Sequence, residues 1–269
     1  MSIHDHTIHI PVDGESIAGT IVAPSTKIPG VLFVHGWGGS QEQYLARARE
    51  IAALGCICLT FDLRGHAGTQ PLQDTVSREN SLHDVLAAYD VLASQRDVDP
   101  DAIAVVGSSY GGYLAAILTA MRPVKWLALR VPALYRDSNW EMPKRELHKG
   151  QDLGVYRQTL VPAEENRALR ACADFRGDVL IVESERDTII PHAVISSYLE
   201  ACEEPRSMTY RVIKGADHGL SEQSSQRAYT ALLVSWMTEM VFGARGGDEV
   251  GQAATMPETA LPEAPPTPG

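Results

Sequence analysis

What most constrains this chain is the alternation, from residue 17 to residue 241, of short apolar runs with longer amphipathic stretches. Residues 17–22, 31–34, 56–61, 103–106, 126–131, 179–183 and 209–213 are β-branched and apolar and have strand length. Between them, 41–54, 80–95, 110–121, 192–201 and 222–241 carry apolar residues at helical spacing, with Asn80 or Ser81 expected to cap the second. Parallel strands need long crossovers, and helices of this length supply them while covering the sheet. The expected fold is therefore α/β: a mostly parallel sheet with helices on both faces. In such sheets the reactive groups collect on loops at the carboxyl ends of the strands.

Residues 132–175 break the rhythm with Pro132, Pro143, Gly150, Gly154 and Pro162, and only 163–173 reads as helix. A segment leaving the carboxyl end of a strand emerges over the reactive edge, so 132–175 is read as a small lid insertion. Residues 1–245 form one expected domain. Residues 246–269 are rich in Pro and Gly, with four acids, no bases and no apolar periodicity. Such a segment cannot offset its ordering entropy and is read as a disordered acidic tail.

The most specific local signal is Gly107-Ser108-Ser109-Tyr110-Gly111, placed between a strand ending in Val105-Val106 and a helix opening at Tyr110. Glycines two positions either side of Ser109 permit a sharp strand-to-helix turn around a strained nucleophile. Ser108 does not fit that frame, because Val106 and Tyr110 would have to be glycines. A serine hydroxyl needs a base, and the base an orienting carboxylate. Asp187 and His218 follow the next two strands, in the order Ser, Asp, His. Glu183, Glu185 and Asp217 are the competing carboxylates. Upstream, His35-Gly36-Trp37-Gly38-Gly39 follows the strand at 31–34. Acyl transfer needs donors aimed at a developing oxyanion. The backbone N–H groups of Trp37 and of Tyr110, the residue after the nucleophile, fit that need, and His35 is expected to be structural.

Together these pieces resemble the α/β-hydrolase superfamily over residues 15–242. Asp62-Leu63-Arg64-Gly65-His66-Ala67-Gly68 resembles that family's D-x-R-G-x-G turn, with Ala67 read as inserted before Gly68 and with Asp62 and Arg64 as structural residues. The compact size is similar to that of dienelactone-hydrolase-like and prolyl-oligopeptidase-like serine esterases, including cinnamoyl-ester hydrolases. Dienelactone hydrolases themselves carry cysteine at the elbow, and dehalogenases and epoxide hydrolases carry aspartate, where this chain has Ser109. The resemblance implies a serine hydrolase acting on small carboxylic esters, of short acyl or aryl type, through an acyl-enzyme. It requires no cofactor and no metal. The same triad also serves thioester hydrolysis, peptide hydrolysis and acyl transfer, and a non-catalytic binding protein on this fold is the alternative of a different class.

Charge narrows the partners. The net charge is −11 and no segment is strongly basic, which argues against nucleic acid and against a polybasic membrane patch. Residues 102–121 are uncharged and long enough to span a bilayer, but Gly107, Ser108, Ser109, Gly111 and Gly112 interrupt them. The first residues lack the basic and apolar regions of a secretory leader. Cys56 and Cys58 are expected to be small buried hydrophobes on one strand face, and reduced thiols point to a cytoplasmic protein. Oligomeric state is left open. The lid holds seven acids and seven bases, so uncharged esters are expected over acyl-CoA thioesters, with Trp140 or Tyr135 touching the substrate.

Overall fold

Successive side chains of a strand point to opposite faces of its sheet, and this chain builds a core on each. Leu32, Val34, Val105, Leu129 and Ile181 belong to one core; Val31, Phe33, Val106, Ala128 and Val182 belong to the other. The structure, a computed structural model, describes residues 3–24, 28–150 and 152–252. In chain order the elements are β1 (Ile3–Val12), β2 (Glu15–Pro24), β3 (Ile28–Val34), α1 (Glu42–Ala52), β4 (Ile57–Phe61), α2 (Arg78–Ala93), β5 (Val98–Ser108), α3 (Tyr110–Leu118) and β6 (Trp126–Arg130). Two short turns, α4 (Leu147–Gly150) and α5 (Leu153–Tyr156), are followed by α6 (Arg167–Asp174), β7 (Asp178–Ser184), α7 (His192–Ala201), β8 (Ser207–Ile213) and α8 (Gln223–Gln252).

The sheet order is β1-β2-β4-β3-β5-β6-β7-β8. The pairs β1–β2 and β2–β4 are antiparallel, and every pairing from β4 onward is parallel. Helices α2, α3, α6 and α7 pack on one face; α1 and α8 cover the other. This is the expected α/β-hydrolase arrangement, and all the parallel strands end at the same edge.

Several details differ from the sequence expectation. A first strand, β1, precedes 17–22 and forms a hairpin across Asp13-Gly14, both with positive φ (49° and 80°). That is the backbone twist a two-residue hairpin needs, and Asp-Gly is a favoured pair for it. Helix α2 starts earlier and is capped by Ser77: its hydroxyl accepts from the Asn80 N–H, and the Asn80 side chain accepts from the Ser77 N–H. Asn80 is thus the reciprocal partner of the cap, as in a capping box. The helix expected at 163–173 is split, because Asn166 is extended (φ −145°) and caps α6 by accepting from the N–H groups of Ala168 and Leu169. Helix α8 continues to Gln252, past the boundary expected at 245. The rest of the expected tail, 253–269, lies outside the described residues. Cys56, Cys58, Cys172 and Cys202 are all buried, and none of them is in a disulfide.

Candidate active site

Ser109 stands between β5 and α3 with φ 52° and ψ −118°, a conformation that L side chains rarely adopt. Its two framing glycines explain how the chain tolerates the turn. A Cβ on Gly107 would lie 2.5 Å from the Gly111 carbonyl oxygen, and one on Gly111 would lie 2.2 Å from that of Val34. The strained backbone therefore rests on close contact between β5, α3 and β3, which only glycine allows. The Ser109 carbonyl accepts from the N–H of Tyr113 within α3 and from that of Ala133 at the start of the lid.

The three residues expected to work together do meet. Ser109 Oγ lies 3.0 Å from His218 Nε2, and His218 Nδ1 lies 2.7 Å from Asp187 Oδ2. With Nδ1–H donating to the carboxylate, Nε2 is left as the acceptor for the serine proton. The second Asp187 oxygen accepts from the N–H groups of Ile189 and Ile190, both at 2.8 Å. Burial alone would raise this carboxyl, but the hydrogen bonds from His218, Ile190 and Ile189 prevail and hold it below the usual carboxylate range. The competing carboxylates are engaged elsewhere. Glu183 accepts from His192 and Tyr210, Glu185 from the Gly215 N–H, and Asp217 from Ser221.

Two neutral histidines shape the loop that carries Trp37. His35 donates through Nδ1 to the Gly36 carbonyl and accepts through Nε2 from the Leu63 N–H. Burial drives its pKa down to about 4, so it remains an uncharged structural residue. His66 accepts the Gly38 N–H at 2.9 Å and donates from Nδ1 to the Arg64 carbonyl. Sequence reasoning gave His66 no role; its signal is its place inside the Asp62–Gly68 turn facing a glycine-rich loop. Asp62 accepts from the Gln41 backbone and side chain, and Arg64 is held by Asp84, so both are structural as expected. Ala67 itself takes φ 45°, the conformation a glycine favours. It therefore stands in place of the motif's glycine, and the turn has no inserted residue.

The N–H of Tyr110 opens α3 and has no intrahelical partner to reach, and the N–H of Trp37 makes no hydrogen bond among the described residues. Both residues adjoin the nucleophile: the Trp37 ring meets the Tyr110 ring edge-on at 5.6 Å. Above Ser109 opens a cavity of about 410 Å³ whose wall includes Trp37, Tyr135, Lys144, Leu153, Arg157 and Ile190. Tyr135 and other residues of 132–175 thus share a cavity with the serine. Trp140 does not. It packs against Tyr113, with the guanidinium carbons of Arg167 and Arg78 4.3 and 4.8 Å from its ring centroid, and lines a different depression. The expected contact between Trp140 and substrate is thereby corrected: packing onto the body takes this ring.

Charge at the cavity also departs from expectation. The lid's acids and bases cancel in number but not in position, for Lys144, Arg145 and Arg157 line the cavity and no carboxylate of the lid does. Arg145 pairs with Asp74, but Lys144 and Arg157 have no acidic partner among the described residues. Lys144 Nζ lies 4.5, 5.0 and 5.2 Å from the ring centroids of Trp37, Tyr110 and Tyr135. The Tyr135 phenol is fully enclosed, which would raise it, yet Lys144 and Arg157 together bring it below its ordinary value. Neither cation was singled out from sequence, because nothing in 132–175 marks which charges face inward. A somewhat larger depression, about 480 Å³, lies at the opposite edge near Asp101, Lys125, Gly177 and Arg206, away from the serine.

Comparisons with known proteins agree with this picture. The chain is 28% identical over 216 residues to an uncharacterized protein of Mycobacterium tuberculosis, covering 78% of this chain and 70% of that one. Its fold is similar to that of Est1E from Butyrivibrio proteoclasticus, solved with ferulic acid bound (TM-score 0.68, 18% identity, 87% of this chain and 99% of that one). It is also similar to a dienelactone hydrolase from Anabaena variabilis (TM-score 0.65, 18% identity, 88% and 98%). A profile of the alpha/beta hydrolase family matches residues 31–231, well over half of the sequence. By fold and by sequence, this chain belongs to the alpha/beta hydrolase family.

Proposed function

We propose that the protein is a serine hydrolase of small carboxylic esters, working through an acyl-enzyme on Ser109. The observation that carries this reading is the continuous relay from Ser109 Oγ through His218 to Asp187, at 3.0 and 2.7 Å, on the floor of an accessible cavity. Ser109 Oγ attacks the ester carbonyl carbon while its proton passes to His218 Nε2. The tetrahedral oxyanion accepts from the N–H groups of Trp37 and Tyr110. His218 then gives the proton to the departing alkoxide, leaving the acyl group on Ser109. A water, deprotonated by His218, attacks that acyl carbon and releases the carboxylic acid with the serine restored. Asp187 keeps Nδ1 protonated and stabilises the imidazolium formed in each half.

The cavity also supports a statement about the substrate. Tyr135, Leu153 and Ile190 offer an apolar wall for a short acyl or aryl group, and Lys144 and Arg157 place two positive charges beside it. An ester bearing a carboxylate away from the scissile bond matches that wall better than an uncharged one. The test is kcat/KM for an aryl acetate and for the aryl monoester of a short dicarboxylic acid. Turnover of both, faster for the charged ester, is the expected result. Hydrolysis of neither, with efficient cleavage of a thioester or a peptide instead, overturns the ester reading.

A further inference from the structure

A second cavity, about 220 Å³, lies beside the nucleophile strand between α1 and α8. Its wall includes Arg47, Ser108, Arg130, Gln226 and Tyr229, and no carboxylate lines it. Arg130 is buried at the end of β6, and every acceptor it meets is neutral: Ser108 Oγ at 3.3 Å, Ser184 Oγ at 3.4 Å and the His218 carbonyl at 2.8 Å. A guanidinium carries five N–H donors, so three contacts, two of them long, leave it capacity for more. Arg47 donates to the Gln43 carbonyl of its own helix, and its Nε is buried without a partner. The Tyr229 ring lies beside both cations, 5.0 Å from the Arg47 guanidinium carbon and 5.6 Å from that of Arg130. Tyr229 is 2% exposed, and among the described residues its hydroxyl has only a loose contact with Ser108 and no hydrogen bond of ordinary geometry. Burial pushes this phenol up to about 12, so it remains a donor.

Two arginines with no acidic partner among the described residues and a buried, poorly satisfied hydroxyl thus meet at one small polar cavity. Buried charges are ordinarily paired, and buried donors ordinarily find acceptors. What completes this set is a small, acceptor-rich group of negative charge. We propose that the cavity between α1 and α8 binds a multivalent oxyanion of the phosphate or sulfate class, held by Arg47, Arg130 and Tyr229. The site is separate from the cations of the substrate cavity and does not rest on the esterase reading. Because Arg130 also donates to the His218 carbonyl, an occupant braces the loop that carries the histidine.

The test uses the full chain, with inorganic phosphate as probe. Equilibrium dialysis of labelled phosphate, at ionic strength fixed with sodium chloride, is expected to give saturable binding of one ion per chain. The thermal midpoint is expected to rise over the same concentrations. Arg47→Met is expected to abolish both effects, and Tyr229→Phe to weaken binding by about tenfold, the scale of one hydrogen bond to a charged group. Lys144→Met, in the substrate cavity, is expected to change neither. Absence of saturable binding overturns the proposal, as does binding that survives Arg47→Met or disappears in Lys144→Met. Should Arg47→Met fail to fold, Tyr229→Phe decides alone, and unchanged affinity there contradicts the assignment.

Discussion

The elbow around Ser109 and the lid above it solve opposite problems. At the elbow, backbone meets backbone so closely that Gly107 and Gly111 tolerate no side chain, and Ser109 is held at φ 52° by its neighbours. In the lid, residues 132–175 hold short turns and the single helix α6, and what matters is where single side chains point: Tyr135, Lys144 and Arg157 inward, Trp140 onto the body. On the proposed function, the first region would fix the chemistry through contacts that admit one arrangement, and the second would select the substrate through side chains that exchange without disturbing the sheet. Reactivity should therefore be brittle to substitution at the elbow and selectivity tunable in the lid.

The sharpest way to break this contrast is at the elbow. Ser109→Ala should fold and lose ester hydrolysis on the order of 10⁴-fold or more. Ser108→Ala, which removes contacts with Arg130 and Tyr229 outside the relay, should keep most activity in the same assay. Equal losses would show that the glycine frame does not select the nucleophile.

Next in size is the loop beneath Trp37. Burial lowers the His35 pKa from 6.5 to about 4, so the folded state holds the neutral ring where the unfolded chain takes up a proton. Stability from this group is complete above 6.5, falls as pH drops toward 4 and is lost no further below, a change of about 3 kcal/mol. Urea denaturation at pH 7 and pH 4.5 should show a smaller pH dependence in His35→Gln than in the wild type. An identical pH dependence in both would mean that the ring is not held neutral.

In the lid, Lys144→Met and Arg157→Met should each lower kcat/KM for the carboxylate-bearing ester by about tenfold to a hundredfold, the scale of one charge-assisted hydrogen bond. The aryl acetate should be affected far less. The smallest effect belongs to Trp140: Trp140→Ala should leave the ratio of the two esters unchanged, since the ring does not line the cavity. A shift in that ratio equal to that of Lys144→Met would return Trp140 to the site.

The same contrast explains what was legible in the sequence. The order of strands and helices from 17 onward follows from apolar periodicity, because the central strands β3 to β7 are covered on both faces of the sheet. Ser109, Asp187 and His218 stand out because the elbow requires glycines at fixed offsets and because the loops after β7 and β8 begin at recognisable strand ends. β1 carries His4, Asp5, His6, Thr7 and His9 where an apolar run would mark a strand, so its best signal is Asp13-Gly14 in the turn. Trp140 and Lys144 lie within a few residues of each other in a segment without periodicity. Only the folded chain separates the ring that packs from the cation that lines the cavity. Summed charge misled for the same reason: seven acids and seven bases cancel on paper, while three of the lid's cations and none of its acids line the cavity. Arg47, Arg130 and Tyr229 come from α1, β6 and α8, and no local pattern announces their meeting.

The central claim is that Ser109 is the nucleophile of an acyl-transfer relay, and intact-mass analysis after treatment with a fluorophosphonate tests it most directly. The reagent should add one adduct to the wild-type chain, located by peptide mapping on Ser109, and none to Ser109→Ala. Labelling on Ser108, labelling that persists in Ser109→Ala, or an unmodified wild-type chain would contradict it.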